Sequence, residues 1–343
     1  MSRILLPRVA RSCATVAIAV LAATGLTATT APTVHADEPA ASVAPVWSGL
    51  DARDYRGPIG APGTLLQKTP LDPTVSLPQA DSAYRVLYAT TDVHGKPAVS
   101  TGAIFLPKRP APKGGHPVIA WAHGTTGLGD DCTPSALPRS DRDQAYLDHW
   151  LSRGYAIVAT DYAGLGTPGL MSYLSSKVAA HSIVDSVKAA THAGLPLSKR
   201  WAIVGQSQGA GAALNGARWA TALSKGSGLD YRGVVATGTP ANIEHIVWQA
   251  GPGFPPVALP TGLNVYASYI WAGFADARPD LKPMSILTAE GRRIVKQAQV
   301  RCYPEMRTAV DGAKVRDWFA EPVTSIPGVQ RALVEYMSTP YSG

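Results

Sequence analysis

The stretch WAIVGQSQGAGAALNGA, residues 201–217, joins a buried-strand pattern to a helical one. Its first residues are apolar, and the small residues at its end suit a helix that packs close to a sheet. The motif GQSQG at 205–209 lies between them and matches G-x-S-x-G, the nucleophile elbow that exposes a serine on a tight strand-to-helix turn. Such a turn requires glycine at positions 205 and 209, because its backbone leaves no room for side chains there. We predict that Ser207 is a catalytic nucleophile; a structural serine in a glycine-rich turn is the alternative.

The patterns around this motif alternate between buried strands and amphipathic helices. A β-rich hairpin at 84–107, turning at 94–96, precedes them. Buried strands linked by helices predict a mostly parallel sheet flanked by helices, an α/β fold. The strand patterns are PVIAWAHG (117–124), YAIVATDY (155–162), RWAIVG (200–205) and RGVVATGTP (232–240), and the helix patterns are QAYLDHWLSRG (144–154), SIVDSVKAATHAG (182–194) and 208–223.

The first 36 residues have the pattern of a secretory signal peptide. Arg3, Arg8 and Arg11 form a basic region, 14–26 is apolar, and Val34-His35-Ala36 is a small-residue cleavage site. An uncleaved membrane anchor is the alternative, but the apolar run is shorter than the roughly 20 residues that a membrane span needs. We therefore predict a secreted protein without a stable membrane span.

The rest of the sequence divides into four predicted segments. Residues 37–80 are rich in Pro, Ala and Gly and predict an extended N-terminal arm. Residues 81–240 contain the alternating core. Residues 241–320 mix aromatic, Pro and Gly residues with short helical stretches, which predicts a cap or lid over a site. Residues 321–343 form a C-terminal segment.

Charge argues against nucleic acid as a partner. The formal net charge is +7, and removal of the signal segment takes away three arginines and no acidic residue, which leaves +4. The remaining basic residues are scattered, whereas nucleic-acid binding requires a clustered basic surface.

The stretch AWAHGTTGLGDDCTPS, residues 120–135, follows another strand of the predicted sheet. In folds with a nucleophile elbow, a His-Gly turn at this place supplies the second N–H group of the oxyanion hole. We predict that the backbone N–H groups of Thr125 and Gln208 are the two donors; a turn that merely ends a strand is the alternative. His123 is expected to support this turn rather than to act as a base.

Neither metal nor cofactor motifs are present. The sequence contains no H-E-x-x-H and no G-x-x-x-x-G-K-[ST]. Residues 164–169 spell G-x-G-x-x-G, but Pro168 and the absence of an acidic partner downstream argue against a dinucleotide turn. We expect neither a metal nor an organic cofactor.

Cys132 and Cys302 remain once the signal segment, which contains Cys13, is removed. An even pair of cysteines in an exported chain favours a disulfide, and two unrelated free thiols are the alternative.

Four motifs in order resemble the secretory lipase family of the α/β-hydrolase superfamily, over roughly residues 80–320. This resemblance implies a secreted serine esterase or lipase of lipid catabolism, with a helical cap over an acyl-binding cleft. It also implies that Ser207 is the nucleophile and that Cys132 pairs with Cys302. The motifs are AYRVLYATTDVHGKPAVSTGAIFLP (83–107), IAWAHGTTGLGDDCTPS (119–135), GYAIVATDYAGLGTPG (154–169) and IVGQSQGAGAAL (203–214).

The resemblance further implies a triad Asp and His on loops after strands that follow the cap. After Ser207 the sequence contains one histidine, His245, near the start of the predicted cap. We therefore expect 321–343 to be a truncated segment, the last strands and the triad partners to be missing, and a sheet edge to be open; recruitment of His245 is the alternative. The functional alternatives are a catalytically impaired or lipid-binding remnant, or an acyltransferase with the same nucleophile.

Overall fold

The structure is a computed structural model, and it describes residues 43–339. Its centre is a seven-stranded sheet in the order β1-β2-β3-β5-β4-β6-β7. β4, β5, β6 and β7 run parallel to one another, and β1, β2 and β3 extend the sheet with antiparallel pairs. The α/β fold is therefore confirmed, with antiparallel strands at one side. The strands are β1 (Leu65–Pro70), β2 (Ala80–Thr91), β3 (Pro97–Pro107), β4 (His116–Ala122), β5 (Ala156–Thr160), β6 (Leu197–Gln206) and β7 (Asp230–Thr237).

Three helices connect the parallel strands and cover both faces of the sheet: α1 (Asp141–Ser152), α2 (Ser176–Thr191) and α3 (Gln208–Leu223). Successive side chains of β4 point to opposite faces, as in any strand. Val118 and Ala120 join the core under α2 and α3, whereas Ile119 and Trp121 join the core on the α1 side. Both faces of this strand are thus buried, which explains its uninterrupted apolar pattern.

The predicted N-terminal arm is partly wrong. Residues 65–70 form β1, which pairs with β2 as an antiparallel edge strand of the sheet. Val75 and Leu77 are buried against the α1 side of the sheet. An edge strand pairs with one neighbour only and buries little of its surface. The pattern LLQKTP is accordingly short and largely polar, and it does not indicate a strand.

The segment after β7 is helical, with α4 (Ile243–Trp248), α5 (Thr261–Ala277), α6 (Ala289–Ala298), α7 (Tyr303–Ala309) and α8 (Val329–Met337). The expectation of short helical stretches is wrong for α5, which has 17 residues. Tyr269, Trp271 and Phe274 of α5 are almost completely buried. Because α5 is apolar around most of its circumference, it packs as an internal helix.

The helices after β7 share one hydrophobic core with the α2 and α3 face of the sheet. α8 lies in the segment predicted to be a C-terminal remnant and packs against α4 and α2. The domain boundaries themselves stay predictions, and the predicted signal peptide lies outside the described residues. Between residues 43 and 339, no helix combines the length and the apolar content that crossing a membrane requires.

Candidate active site

Ser207 lies at the turn between β6 and α3. Its backbone angles are φ 56° and ψ −123°, and its N–H donates to the Thr237 carbonyl oxygen at 2.9 Å. Residues other than glycine seldom adopt a positive φ, and such strain persists only where the surrounding structure enforces it. The side chain is half-buried, at the carboxyl end of the parallel strands. The turn thus has the form that the G-x-S-x-G motif predicts.

Two glycines allow this turn to pack tightly. A Cβ atom on Gly205 would overlap the Gly209 carbonyl oxygen. A Cβ atom on Gly209 would overlap the Ala122 carbonyl oxygen and lie 2.7 Å from that of His123. The start of α3 is therefore in close contact with the end of β4. Glycine is required at both positions because a side chain would clash, not because the backbone needs a positive φ.

The loop after β4, which contains the predicted oxyanion donor Thr125, runs close to the turn at Ser207. A Cβ atom on Gly124 would lie 3.9 Å from Ser207 Cβ, so the loop backbone passes directly beside the serine. Thr125 follows in that loop. Gln208 is the first residue of α3, where N–H groups have no partner within the helix and the helix dipole favours negative charge.

His123 supports the loop, as the sequence suggests. Its Nδ1 lies 2.7 Å from the Gly124 carbonyl oxygen, and its Nε2 lies 3.2 Å from that of Asp161. The N–H of a trans peptide points away from the carbonyl oxygen of the same peptide, so this contact directs the Thr125 N–H away from the imidazole. Burial lowers the pKa of His123, since the charged ring would lose its hydration.

A buried polar group behind this loop was missed by the sequence analysis. The Asp161 carboxylate accepts hydrogen bonds from the Ser135 N–H at 2.9 Å and from Thr101 Oγ1 at 2.8 Å. Arg85 Nη1 lies 3.8 Å from the same carboxylate, and both side chains are fully buried. Asp161 directly follows a buried-strand pattern, which is the signal that could have identified it. The group fixes the loop after β4 to strands β2, β3 and β5.

Tyr173 is a second residue that the sequence analysis missed. Its hydroxyl lies 2.6 Å from Thr125 Oγ1, although the two residues are separated by 48 positions. Tyr173 is 3% exposed, and burial raises its pKa, so the phenol keeps its proton. No short motif predicts this contact, because it depends on the path of the loop after β5.

The disulfide Cys132–Cys302 is present, with a Cα–Cα distance of 5.3 Å. Two further contacts join the same segments: Tyr303 N–H donates to the Thr126 carbonyl oxygen at 2.8 Å, and Gly127 forms a β-bridge with Cys302. The loop that carries Thr125 is therefore fastened to the start of α7.

We expect the variant Cys132→Ala/Cys302→Ala to lose about 3 kcal/mol of unfolding free energy. The bond links residues 170 positions apart and restricts the unfolded chain accordingly. Denaturant titration of the wild type and the variant measures the difference. Reductant should lower the stability of the wild type to the same level and leave the variant unchanged. Equal stability of oxidised wild type and variant would contradict the prediction.

A small groove with a cavity volume of about 20 Å³ lies beside Gln208 between α2, α3 and α8. Its lining is mainly apolar and includes Tyr162, Met171, Val178, Ala212, Pro240 and Met337. The apolar lining next to Gln208 favours contact with hydrocarbon over contact with charged groups.

His245 is on α4, and the structure does not bring it into contact with Ser207. The His245 side chain is 48% exposed, with its Nε2 3.9 Å from Oε1 of the buried Glu244. Within the described part of the chain, the Ser207 hydroxyl forms no hydrogen bond. Among residues 43–339, no group of three or more His, Cys, Asp or Glu side chains is arranged to hold a metal ion.

Comparison with known proteins places this chain in a family. A model of the secretory lipase family matches residues 139–320, more than half of the 343-residue chain. A comparison with curated protein sequences finds no match.

Solved structures with the same fold include lipases and esterases. Candida antarctica lipase A in its closed state is 19% identical, with a TM-score of 0.59 over 80% of this chain and 65% of that chain. The present chain thus spans slightly less than two thirds of that lipase. The rice cell wall degrading esterase LipA from Xanthomonas oryzae is 24% identical, with a TM-score of 0.62 over 80% and 79% of the two chains. A putative hydrolase from Legionella pneumophila is 18% identical, with a TM-score of 0.62 and the same coverages. These likenesses show the α/β-hydrolase fold, and the family match shows that the chain belongs to the secretory lipase family.

Proposed function

We propose that this protein is a serine esterase or lipase that hydrolyses carboxylic esters through an acyl-enzyme on Ser207. The observation that carries the proposal is the backbone of Ser207, whose positive φ is held at a strand-to-helix turn by Gly205 and Gly209. Backbone strain of this kind is concentrated at active sites, where it keeps a nucleophile exposed and in a fixed direction. Membership of the secretory lipase family supports the same chemistry.

In the proposed reaction, Ser207 Oγ attacks the ester carbonyl carbon while a base accepts the hydroxyl proton. The carbonyl oxygen becomes an oxyanion, which the N–H groups of Thr125 and Gln208 stabilise. The tetrahedral intermediate then collapses: the base returns its proton to the leaving oxygen, the alcohol departs and an acyl group remains on Ser207. Water then repeats the attack and releases the acid. These steps use neither a metal nor an organic cofactor.

The proposed substrate is a small-molecule ester or a lipid with an apolar acyl group. The apolar groove lies next to Gln208, one of the two proposed oxyanion donors, and we propose that its surface contacts the acyl group close to the reacting carbonyl. Its mainly apolar lining favours hydrocarbon over charged groups.

We also propose that the protein is secreted. The basic, apolar and small-residue regions of residues 1–36 support export, and the disulfide Cys132–Cys302 suits an oxidising compartment.

Covalent trapping tests the proposed nucleophile. We expect diethyl p-nitrophenyl phosphate to add one diethylphosphoryl group to the protein and to release p-nitrophenolate, because it mimics an ester at the tetrahedral stage. Peptide mass analysis should find the group on Ser207. Labelling of another residue, or none in a folded sample, would reject the proposal and favour a lipid-binding protein without catalysis.

Acyl transfer would use the same nucleophile. Addition of an alcohol acceptor to the ester assay separates the two reactions. Hydrolysis yields the free acid, whereas a transferase yields the new ester in its place.

A further inference from the structure

The loop after β4 contains a hydroxyl pair whose geometry gives it a place in the proposed reaction. Thr125 Oγ1 and the Tyr173 hydroxyl lie 2.6 Å apart, at the residue whose N–H is a proposed oxyanion donor. Neither hydroxyl has another hydrogen-bond partner among residues 43–339. One of the two protons is therefore shared within the pair, and the other is free.

The acidities of the two hydroxyls decide which proton is free. A phenol, with a pKa of about 10, is the stronger donor, and the aliphatic oxygen of threonine is the better acceptor. At this distance either hydroxyl can be the donor, and in the arrangement that these acidities favour, the Tyr173 O–H donates to Thr125 Oγ1. The Thr125 O–H then has its proton available for a third group.

The loop that carries Thr125 runs close to the nucleophile. Thr125 follows Gly124, where an added Cβ atom would lie 3.9 Å from Ser207 Cβ. Thr125 is half-buried, so part of the residue is accessible to solvent. A substrate carbonyl that reacts with Ser207 and binds the Thr125 N–H comes within reach of the hydroxyl of the same residue.

Tyr173 is held rigidly by the helices that follow β7. The Tyr336 hydroxyl of α8 donates to the Tyr173 carbonyl oxygen at 2.8 Å, and the Tyr269 ring of α5 lies 5.6 Å from the Tyr173 ring. A Cβ atom on Gly273 of α5 would lie 2.8 Å from the Tyr173 nitrogen. The phenol therefore needs no reorganisation when charge develops, which is the condition for effective electrostatic stabilisation.

We propose that the Thr125 hydroxyl is a third oxyanion donor and that Tyr173 is the positioning residue that orients and polarises it. A chain from phenol to hydroxyl to oxyanion strengthens each hydrogen bond in it. This inference rests on the proposed function, because an oxyanion forms only if Ser207 attacks an ester.

Steady-state hydrolysis of p-nitrophenyl butyrate by hydroxyl variants tests the proposal. We expect Thr125→Val to lower kcat about thirtyfold and to change KM by less than about threefold, since the donor acts on the transition state. Thr125→Ser should restore kcat to within about threefold of the wild type, because it returns the hydroxyl. Tyr173→Phe should lower kcat about fivefold, and the double variant should be no slower than Thr125→Val alone, because the two groups act as one unit.

Thr126→Val is the matched control. The Thr126 hydroxyl is buried in the same loop without a hydrogen-bond partner among the described residues, so its removal should leave kcat unchanged. Thermal unfolding confirms that each variant is folded. If Thr125→Val does not fold, a crystal structure of the wild type phosphorylated on Ser207 tests the same contact. A phosphoryl oxygen should lie within about 3.2 Å of Thr125 Oγ1, and a longer distance would contradict the proposal.

A kcat equal to that of the wild type in both Thr125→Val and Tyr173→Phe would overturn the proposal. So would a double variant whose fold-loss in kcat equals the product of the two single fold-losses. If Ser207→Ala hydrolyses the ester as fast as the wild type, the proposed function and this inference both fail. If Ser207→Ala is inactive while the hydroxyl variants are unaffected, only this inference fails.

Discussion

Ser207→Ala is expected to lower the turnover of p-nitrophenyl butyrate by at least about a thousandfold, which is the scale that follows loss of a covalent nucleophile. The substitution removes only the hydroxyl, so the Ser207 backbone N–H keeps its hydrogen bond to the Thr237 carbonyl oxygen. The variant should also fail to take up a diethylphosphoryl group. Turnover measured on matched, folded samples gives the result.

Ser224→Ala is the control for this change. Ser224 caps the opposite end of α3, where its hydroxyl donates to the Ala220 carbonyl oxygen at 2.6 Å. Loss of that bond should cost at most about 1 kcal/mol of stability and leave turnover unchanged. Equal turnover of Ser207→Ala and wild type would exclude an acyl-enzyme on Ser207.

The sequence predicts the turn around Ser207 because local rules determine it. The elbow requires glycine at two fixed positions, a buried strand before it and a helix after it, and all of these appear within residues 201–217. The strand patterns predict the fold for a similar reason. Strands that are buried on both faces have continuous apolar runs, and helices between them require parallel crossovers.

The missed features depend on long-range contacts. Tyr173 reaches Thr125 only through the fold of the loop after β5, and Asp161 joins Thr101 and Ser135 from separate segments. A buried carboxylate or phenol has no periodic pattern of its own, so its partners cannot be read from its neighbours in sequence. The Cys132–Cys302 pair was predictable because only two cysteines remain outside the predicted signal segment.

The sequence pattern of α5 does not predict one long helix. Its pattern TGLNVYASYIWAGFADA lacks the polar face of a surface helix. Glycine and aromatic residues in it favour an irregular cap, because their helix propensities are poor. Burial overrides those propensities: α5 packs under α8 and against the loop that carries Tyr173, where Gly273 permits the close approach.

Gly209→Ala is expected to lower the free energy of unfolding by about 4 kcal/mol or to prevent folding. The new Cβ atom would overlap the Ala122 carbonyl oxygen and crowd that of His123. Both obstacles are backbone atoms at the end of β4, so no side-chain rotation relieves them, and either the strand or α3 has to move. The movement would separate Gln208 from the loop that carries Thr125. Since a displacement of about 1 Å can cost a hundredfold in rate, turnover of any folded variant should fall at least that far.

Gly211→Ala provides the matched control, one half-turn further along α3. A Cβ atom there would meet nothing closer than Pro240 Cγ at 3.6 Å, which is an ordinary contact. Alanine is favoured over glycine within a helix by about 1 kcal/mol, so this variant should be at least as stable as the wild type. Guanidinium titration of the wild type, Gly209→Ala and Gly211→Ala compares their free energies of unfolding. If both variants matched the wild type in stability and turnover, the contact between Gly209 and β4 would not constrain the elbow, and the strain at Ser207 would need another source. A large loss at 209 with none at 211 would show that the elbow is held in place by the approach of one backbone to another, which the side-chain pattern of α3 alone does not impose.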